Sequence, residues 1–554
     1  MTRLEQTEPA SDAGFTKLNR QTGSEIFTKF ADVKSRIAWT PESRKVLQEM
    51  WDRGDKAPVI AAALGCKVGV INVARARFGL KPRRIVSGRP KEADEPAHKI
   101  ERVAITTSRL MEFCTEKELV AQTGHESFEW PQVIVKELVD NGIDACEETE
   151  IAPVIKVSIK TGKSKKPTRI IIEDNGPGIP TETITGIIDY NVRVSSREAY
   201  ISPTRGRQGN ALKTILPMAY VLGGKVKGET WIEARSVKHR ILFTVNQIKQ
   251  EPIVRDNLTT SRVKTGTRVT VFWPDNDTAL IDPNEICELL RQFIFVNPHL
   301  TLQFTVDGKT VIRCNATNPN WTKYRACDAT SAHWYSLEQF ERYASALIDR
   351  DQEFRKRHPR ITREKITVRD FIAQFRGMSA TDKQKQILRE LGATHKSLHR
   401  FFGSETYVDH QCMQKLLRLV QKQTRPVRPE LLGAIGEEHL RRLSLDLGGE
   451  LKSFKYFISP GHDAKGLPYV VEIATCAFKE WVAGKDAPSR ELITGVNFSA
   501  TLENPFSTFR GMEGMEEILT ELRAGKYAPV IVCVHYASPH IEYLDRGKSR
   551  IGLE

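Results

Sequence analysis

The chain has 554 residues, with 83 Lys+Arg against 69 Asp+Glu, so 83 − 69 gives a formal charge of +14 at pH 7. Hydrophobic residues make up 40% and charged residues 27%, the balance of a folded chain rather than a disordered one. No window approaches the ~18 uninterrupted apolar residues of a membrane span, the first thirty residues lack an apolar core segment, and nine Cys without a CxxC pair fit neither a zinc site nor a disulfide framework. Membrane, secreted and collagen-like classes are thereby excluded. A cytoplasmic protein of about three or four domains is expected, and its positive charge favours a polyanionic partner.

The charge is uneven. Residues 1–100 hold 19 Lys+Arg and 12 Asp+Glu, so 19 − 12 places +7 in under a fifth of the chain. Residues 1–37 form an N-terminal extension. In 38–85, Thr40 is a good helix N-cap with Pro41 at the first helical position, while Ser43 at the third leaves the capping box incomplete. Val46, Leu47, Met50 and Trp51 recur at helical spacing and Gly54 ends the helix. A second helix, Pro58–Leu64, stops at Gly65. A third, Val68–Phe78, carries Arg75 and Arg77 and runs into Lys81, Arg83 and Arg84. Three short helices with a basic third one predict a helix-turn-helix whose last helix enters the major groove, those five cations meeting DNA. A small helical protein-docking domain is the alternative. The WTPE opening and the IAAALGCKVGVINVAR core resemble the helix-turn-helix of short bacterial regulators of the GcrA type. Residues 86–101 are polar, contain two prolines, lack periodicity and read as a linker.

Four elements further on carry chemistry. In 128–148, FEWPQVIVKELVDNGIDACEE, Ile134, Leu138 and Ala145 mark one helical face, while Glu137, Asn141 and Asp144 fall at i, i+4 and i+7 on one stripe. A carboxylate and an amide one turn apart suit two linked jobs: an oxygen that holds Mg2+ against a triphosphate, and a carboxylate that takes a proton from attacking water. In 169–180, RIIIEDNGPGIP, Asp174 stands at the mouth of a buried strand, where a carboxylate accepts a hydrogen bond from an exocyclic amine such as adenine's. Gly176 and Gly178 allow positive φ and close approach to a flat ligand. In 204–224, Gly206 and Gly209 precede an apolar helix whose first N–H groups could cradle phosphates. The fourth, KTGTR at 264–268, opens the strand Val269–Trp273.

In this order the four elements resemble the nucleotide site of the GHKL ATPases, the family of gyrase, Hsp90, MutL and the histidine kinases. The resemblance implies a Bergerat-type α/β sandwich binding ATP and Mg2+ under a mobile lid. It makes Glu137 the general base, Asn141 the Mg2+ ligand and Asp174 the adenine anchor. It gives Gly206, Arg207, Gln208, Gly209, Asn210 and Ala211 to the phosphates, and places Asp144 and Thr267 beside the nucleotide. Glu137 argues against a kinase, since histidine kinases carry His or Asn there.

The likeness extends to the topoisomerase VI B subunit. NVRVSSREAYISPTRGRQGN looks like its approach to the glycine box, with Ala211 in place of the last glycine of G-x-Q-G-x-G. LLRQFIFVNPHL (289–300), His333-Trp334-Tyr335, PELLGAIGEEHL (429–440), GLPYVVEIATCAF (466–478), GVNFSA (495–500) and VIVCVHYASPHIEYLDRGKSRI (530–551) follow in the same order. The implied fold is α+β and multidomain: the helix-turn-helix, an ATPase domain at 102–327, a helical helix–two-turns–helix-like insert at 328–447 and a transducer-like α/β domain at 448–554. By its place in the DRGK loop, Lys548 is the expected γ-phosphate sensor. The family's B subunit usually continues past this loop into helices that bind the cleaving A subunit, whereas this chain reads to Glu554, 554 − 548 = 6 residues on. The implied function is an ATP-operated clamp on double-stranded DNA, working as an ATP-dependent homodimer in a bacterial or archaeal cytoplasm, nucleoid-associated, with an A-like cleaving partner. The alternative is a DNA-binding regulator or mobile-element factor that uses ATP-driven dimerisation as a switch.

Overall fold

The computed structural model describes residues 37–81, 114–162, 166–190, 199–205, 211–223, 228–246, 248, 251–274, 280–357, 365–404, 407–479, 489–507, 514–544 and 550–552. Of the positions singled out above, Arg83, Arg84, Gly206, Arg207, Gln208, Gly209, Asn210 and Lys548 lie outside the described residues, as do the 86–101 linker and nearly all of the N-terminal extension.

Residues 1–105 make one unit and 106–554 another. The first holds α1 (Pro41–Arg53), α2 (Ala57–Ala63) and α3 (Val68–Arg77). Thr40 Oγ1 accepts from Ser43 N at 3.2 Å, and Gly54 closes α1 at φ 98°. Leu47, Ile60, Ala61, Ile71, Ala74 and Leu80 form its core.

The second unit begins with α4 (Glu116–Thr123) and α5 (Trp130–Glu148). The strands β1 (Val154–Thr161) and β2 (Pro167–Glu173), helices α6 (Thr181–Ile188) and α7 (Ala211–Leu222), and strands β3 (Gly228–Ala234), β4 (Val237–Asn246), β5 (Glu251–Thr260) and β6 (Thr267–Phe272) follow. Helix α8 (Pro283–Val296) and strands β7 (Thr301–Val306) and β8 (Lys309–Cys314) complete an eight-stranded sheet of order β5-β4-β3-β6-β2-β1-β7-β8. Strand alternation decides its faces: Ile155, Val157 and Ile159 of β1, Ile170 and Ile172 of β2, and Ile241 and Phe243 of β4 are buried. Helices α5, α7 and α8 pack on the sheet. In this sheet, among the described residues, β1 and β7 pair in parallel and the other neighbours are antiparallel.

A helical stretch comes next: α9 (Leu337–Arg357), α10 (Val368–Ile372), α11 (Thr381–Glu390), α12 (Leu398–Phe402), a hairpin of β9 (Gly403–Ser404) and β10 (Tyr407–Val408), α13 (His410–Gln423) and α14 (Glu437–Asp446). Its centre is aromatic, with Phe340, Phe371 and Phe375 fully buried against one another. The C-terminal sheet has the order β11-β12-β15-β13-β14, from β11 (Lys455–His462), β12 (Pro468–Ala477), β13 (Glu491–Val496), β14 (Ser499–Ala500) and, after α15 (Met515–Glu521), β15 (Val530–Ala537). One hydrophobic core runs through both sheets and the helices between them, and α8 touches both sheets. Among the described residues no helix is long and apolar enough to cross a membrane.

The end of α8 shows how the parts are joined. A helix leaves its last carbonyls without intrahelical partners. Asn297 Nδ2 donates to Phe293 O at 2.9 Å, and His439 Nε2 on α14 lies 3.0 Å from both Ile294 O and Phe295 O. Nε2 therefore carries a proton, and Nδ1 accepts from the Thr317 hydroxyl at 2.5 Å. Burial pushes this imidazole down from 6.5 to about 4, although the carbonyls favour its charged form. Between those pH values the unfolded chain binds a proton that the folded chain refuses, so stability falls as pH drops through that window, by ~3 kcal/mol in all. Urea unfolding measured from pH 7 to 4 should show this loss, and His439→Gln should flatten it. An unchanged pH slope in that variant would remove His439 as the cause.

Candidate nucleotide site

The entry to α5 is fixed before the helix begins. A 3-10 turn at Ser127–Glu129 carries a reciprocal capping box, with Glu126 N donating to Glu129 Oε2 at 2.9 Å. Trp130 is fully buried and its Nε1 donates to His125 O at 3.1 Å. From there Ile134, Leu138, Val139, Ile143 and Cys146 are buried. Of the stripe read from the sequence, Glu137 is half-buried and Asn141 exposed. Lys136 Nζ stands 3.8 Å from Glu137 Oε1 and 3.1 Å from Asp140 Oδ2. Burial opposes the lysine's charge, but the Asp140 and Glu137 carboxylates more than offset it and hold the ammonium above its ordinary range.

Asp144 departs from the stripe reading. It is buried, and its Oδ1 accepts from Arg205 Nη1 at 2.7 Å. Helical spacing aligns it with Glu137 but also with Asp140 and Glu147 at i−4 and i+3, and the arginine arriving from Thr204–Arg205 draws it to that inner side. Asp144 is thus tied to Arg205 on the inner side of α5.

Asp174 closes β2 and is half-buried. Its Oδ1 accepts from Gly176 N at 2.8 Å and Thr267 N at 3.1 Å. Burial raises this carboxyl above its usual range, while the two backbone donors and the Thr267 side chain pull it back. Thr267 is thus the support of Asp174. The geometry needs two glycines. At Gly142 on α5 a Cβ would lie 3.2 Å from Asp174 Cβ and 2.9 Å from Ile155 Cδ1, so only a bare backbone lets the strand end reach the helix. At Gly266, φ is 74° and a Cβ would sit 1.9 Å from Asp174 O. Gly178 adopts φ 75° as its motif predicts, whereas Gly176 does not occupy that region and contributes its N–H instead. Asn175 locks the same loop: its Oδ1 accepts from Val154 N at 2.7 Å and from the Cys146 thiol at 3.2 Å. That thiol stays protonated because burial, then the Asp174 carboxylate, pushes it up to about 12.

Ala211 is the first described residue of α7. Sequence reasoning missed Asn175 and Arg205. Asn175 sits inside the DNGPG motif and was within reach. A buried arginine has no sequence signal of its own.

Mg2+ suits the donors present. Asn141 offers an exposed hard oxygen, and Mg2+ takes one or two protein oxygens and completes its shell with phosphates and water.

A family model described as histidine kinase-, DNA gyrase B-, and HSP90-like ATPase matches residues 128–277. The chain is similar to the B subunit of type 2 DNA topoisomerase 6 from Archaeoglobus fulgidus, 33% identical over 182 residues, which covers 32% of this chain and 29% of that protein. It is similar over a longer span to the corresponding proteins of Pyrococcus horikoshii, 23% identical over 467 residues, and Pyrococcus furiosus, 22% identical over 458 residues; each covers 76% of this chain and 77% of the relative. The higher-identity likeness thus spans under a third of the relative's length. The stretch matched by that family model, residues 128–277, holds Glu137, Asn141, Asp174 and Thr267.

Proposed function

We propose that the chain binds and hydrolyses ATP with Mg2+ and uses the nucleotide to govern its hold on double-stranded DNA, as a clamp similar to the topoisomerase VI B subunit. The carrying observation is the pairing, inside one matched ATPase domain, of Glu137 and Asn141 one turn apart on α5 with an Asp174 locked at the end of β2 by Gly176 and Thr267. Asp174 offers its carboxylate to the adenine amine. Asn141 faces solvent, where phosphates and their cation arrive. Glu137 takes the proton of the attacking water, helped by an environment that keeps the neighbouring Lys136 charged. Mg2+, when bound, supplies charge neutralisation along the phosphates. Gly206, Arg207, Gln208, Gly209, Asn210 and Lys548 keep the phosphate roles that resemblance assigns to them. Two copies close around DNA when ATP is bound, and an A-like partner supplies cleavage.

The second reading, a DNA-bound switch without topoisomerase activity, draws support from the separate N-terminal unit with its own core. On α3 the outward positions Gly69, Asn72, Val73 and Ala76 are small or amide-bearing, and Arg77 and Lys81 are exposed beside them. Such a slender face fits a major groove, where Asn reads adenine. Arg75 is less available, being half-buried with its guanidinium 5.8 Å from the Trp51 ring centre.

Glu137→Ala should retain ATP binding and lose hydrolysis by ~100-fold, given the usual worth of a general base; a coupled phosphate-release assay showing wild-type turnover would end that role. Asp174→Asn should lose nucleotide affinity by at least ~10-fold in calorimetry, and equal affinity would separate Asp174 from the base. Arg77→Ala with Lys81→Ala in the full chain should weaken DNA binding and flatten the log K against log salt slope by about 2. An identical slope would mean that α3 does not meet phosphates. Supercoiled-plasmid relaxation with and without a cleaving partner separates the two readings.

A further inference from the structure

Asn497 and Phe498 form the two-residue turn joining β13 to β14, with φ of 50° and 65°. Two-residue hairpins ask for positive φ at both positions, which Asn tolerates and Phe resists. This Phe is held there from every side. Its ring is fully buried, edge-on to Trp321 at 5.0 Å and tilted against His535 at 4.3 Å between centroids. Its N–H donates to His535 Nε2 at 3.2 Å, and its carbonyl accepts from Arg205 Nε and Asn297 Nδ2, each at 3.0 Å. On either side, Asn497 Nδ2 donates to Thr204 O at 3.4 Å and Ser499 Oγ donates to Asp140 Oδ2 on α5 at 2.6 Å.

Arg205 is the centre of this junction. Its Nη1 reaches Asp144 Oδ1 at 2.7 Å and Glu147 Oε2 at 2.8 Å, and its Nη2 reaches Glu147 Oε1 at 2.7 Å and Asn297 Oδ1 at 2.6 Å. With Nε on Phe498 O, all five guanidinium donors are used. Four bind the nucleotide domain and the fifth binds the C-terminal sheet. The helix it grips by Asp144 and Glu147 is the helix that carries Glu137 and Asn141. In sequence Arg205 directly precedes Gly206.

We propose that Arg205 is a positioning residue for ATP turnover, its fork fixing α5 against the Asn497–Phe498 turn so that nucleotide occupancy at Glu137 and Asn141 is felt in β13 and β14. The proposal rests on the ATP-binding role given above. A lysine cannot replace this residue, because three donors on a flexible stem cannot serve five acceptors in one plane.

The test uses full-length protein, a non-hydrolysable ATP analogue and hydrogen exchange of the segment 493–500. In the wild type, saturating analogue should slow exchange of that segment at least ~5-fold. Arg205→Lys should keep analogue affinity within ~3-fold, lower kcat by ~10-fold or more with KM little changed, and abolish the exchange response. Should that variant fail to fold, Ser499→Ala, which leaves every bond of Arg205 in place and removes the hydroxyl that meets Asp140 Oδ2 and Ala500 O, should fold and diminish the response. Wild-type protein that binds the analogue yet shows no change at 493–500 overturns the proposal alone. So does a folded Arg205→Lys protein with wild-type kcat and response, or a Ser499→Ala protein that responds fully. Wild-type protein that binds no adenine nucleotide overturns the ATP reading and this proposal together.

Discussion

Three carboxylates on one buried helix face dominate this molecule. Asp140, Asp144 and Glu147 recur at helical spacing along α5 and each is under a tenth exposed. An ionised carboxylate stripped of water costs several kcal/mol unless charge and hydrogen bonds replace the water. Arg205, Lys136 and Lys323 supply the charge, with Lys323 Nζ 3.2 Å from Glu147 Oε2, and His299 Nε2 adds a contact at 2.9 Å. Taking away one cation would leave a buried carboxylate unmatched, at about 3–5 kcal/mol. The helix that carries the candidate chemistry on its open side is therefore anchored by electrostatics on its closed side, and its position is set by where Arg205 and Lys323 can stand.

A second buried carboxylate is solved in the same manner within the C-terminal sheet. Glu472 is 1% exposed and accepts from Ile435 N at 2.8 Å, Gly436 N at 3.0 Å, Tyr456 Oη at 2.7 Å and His535 Nδ1 at 3.1 Å. Burial works against its charge, but His535 and the backbone donors outweigh it and hold the carboxyl below the usual range. Since His535 Nε2 accepts from Phe498 N, the proton of this imidazole belongs on Nδ1, toward Glu472. The two charge clusters are thus joined through a single residue: the Phe498 N–H faces one and the Phe498 carbonyl faces the other. A turn strained in φ is tolerated where its polar groups are this fully used.

Much of this was legible in the chain, and the limits follow from sequence distance. The α1 caps, Thr40 and Gly54, are local signals and appear as local structure. Helix α5 and the β2 strand announce themselves by apolar period, and Asp174 by its place between an apolar run and a glycine turn. The parallel pairing of β1 with β7 joins Val154 to Thr301, far beyond any periodicity window. Arg205 binds a carbonyl 293 residues away. In sequence it is one of many basic residues, and nothing in its neighbours distinguishes an arginine at full burial from one in water. The burial of Asp144 is hidden for a related reason: helical geometry fixes which residues share a stripe, but which of two adjoining stripes faces solvent is decided by the partner that arrives from elsewhere.

The N-terminal unit obeys the opposite economy. Its core is a handful of aliphatic side chains beneath three short helices, and its third helix turns small residues outward, with Val73 at 69% exposed. An α-helix is about 10–12 Å across with its side chains and a major groove about 12 Å wide, so large outward side chains would keep the axis away from the base edges. Gly69, Asn72 and Ala76 permit a closer approach. Arg75 is held toward Trp51, whose Nε1 donates to Lys81 O at 3.4 Å, so the same tryptophan that steadies the arginine also pins the chain leaving α3 and fixes where Lys81 stands. Cation placement here is a consequence of packing around one ring, and a DNA-reading role for this face therefore stands or falls with Trp51 as much as with the arginines.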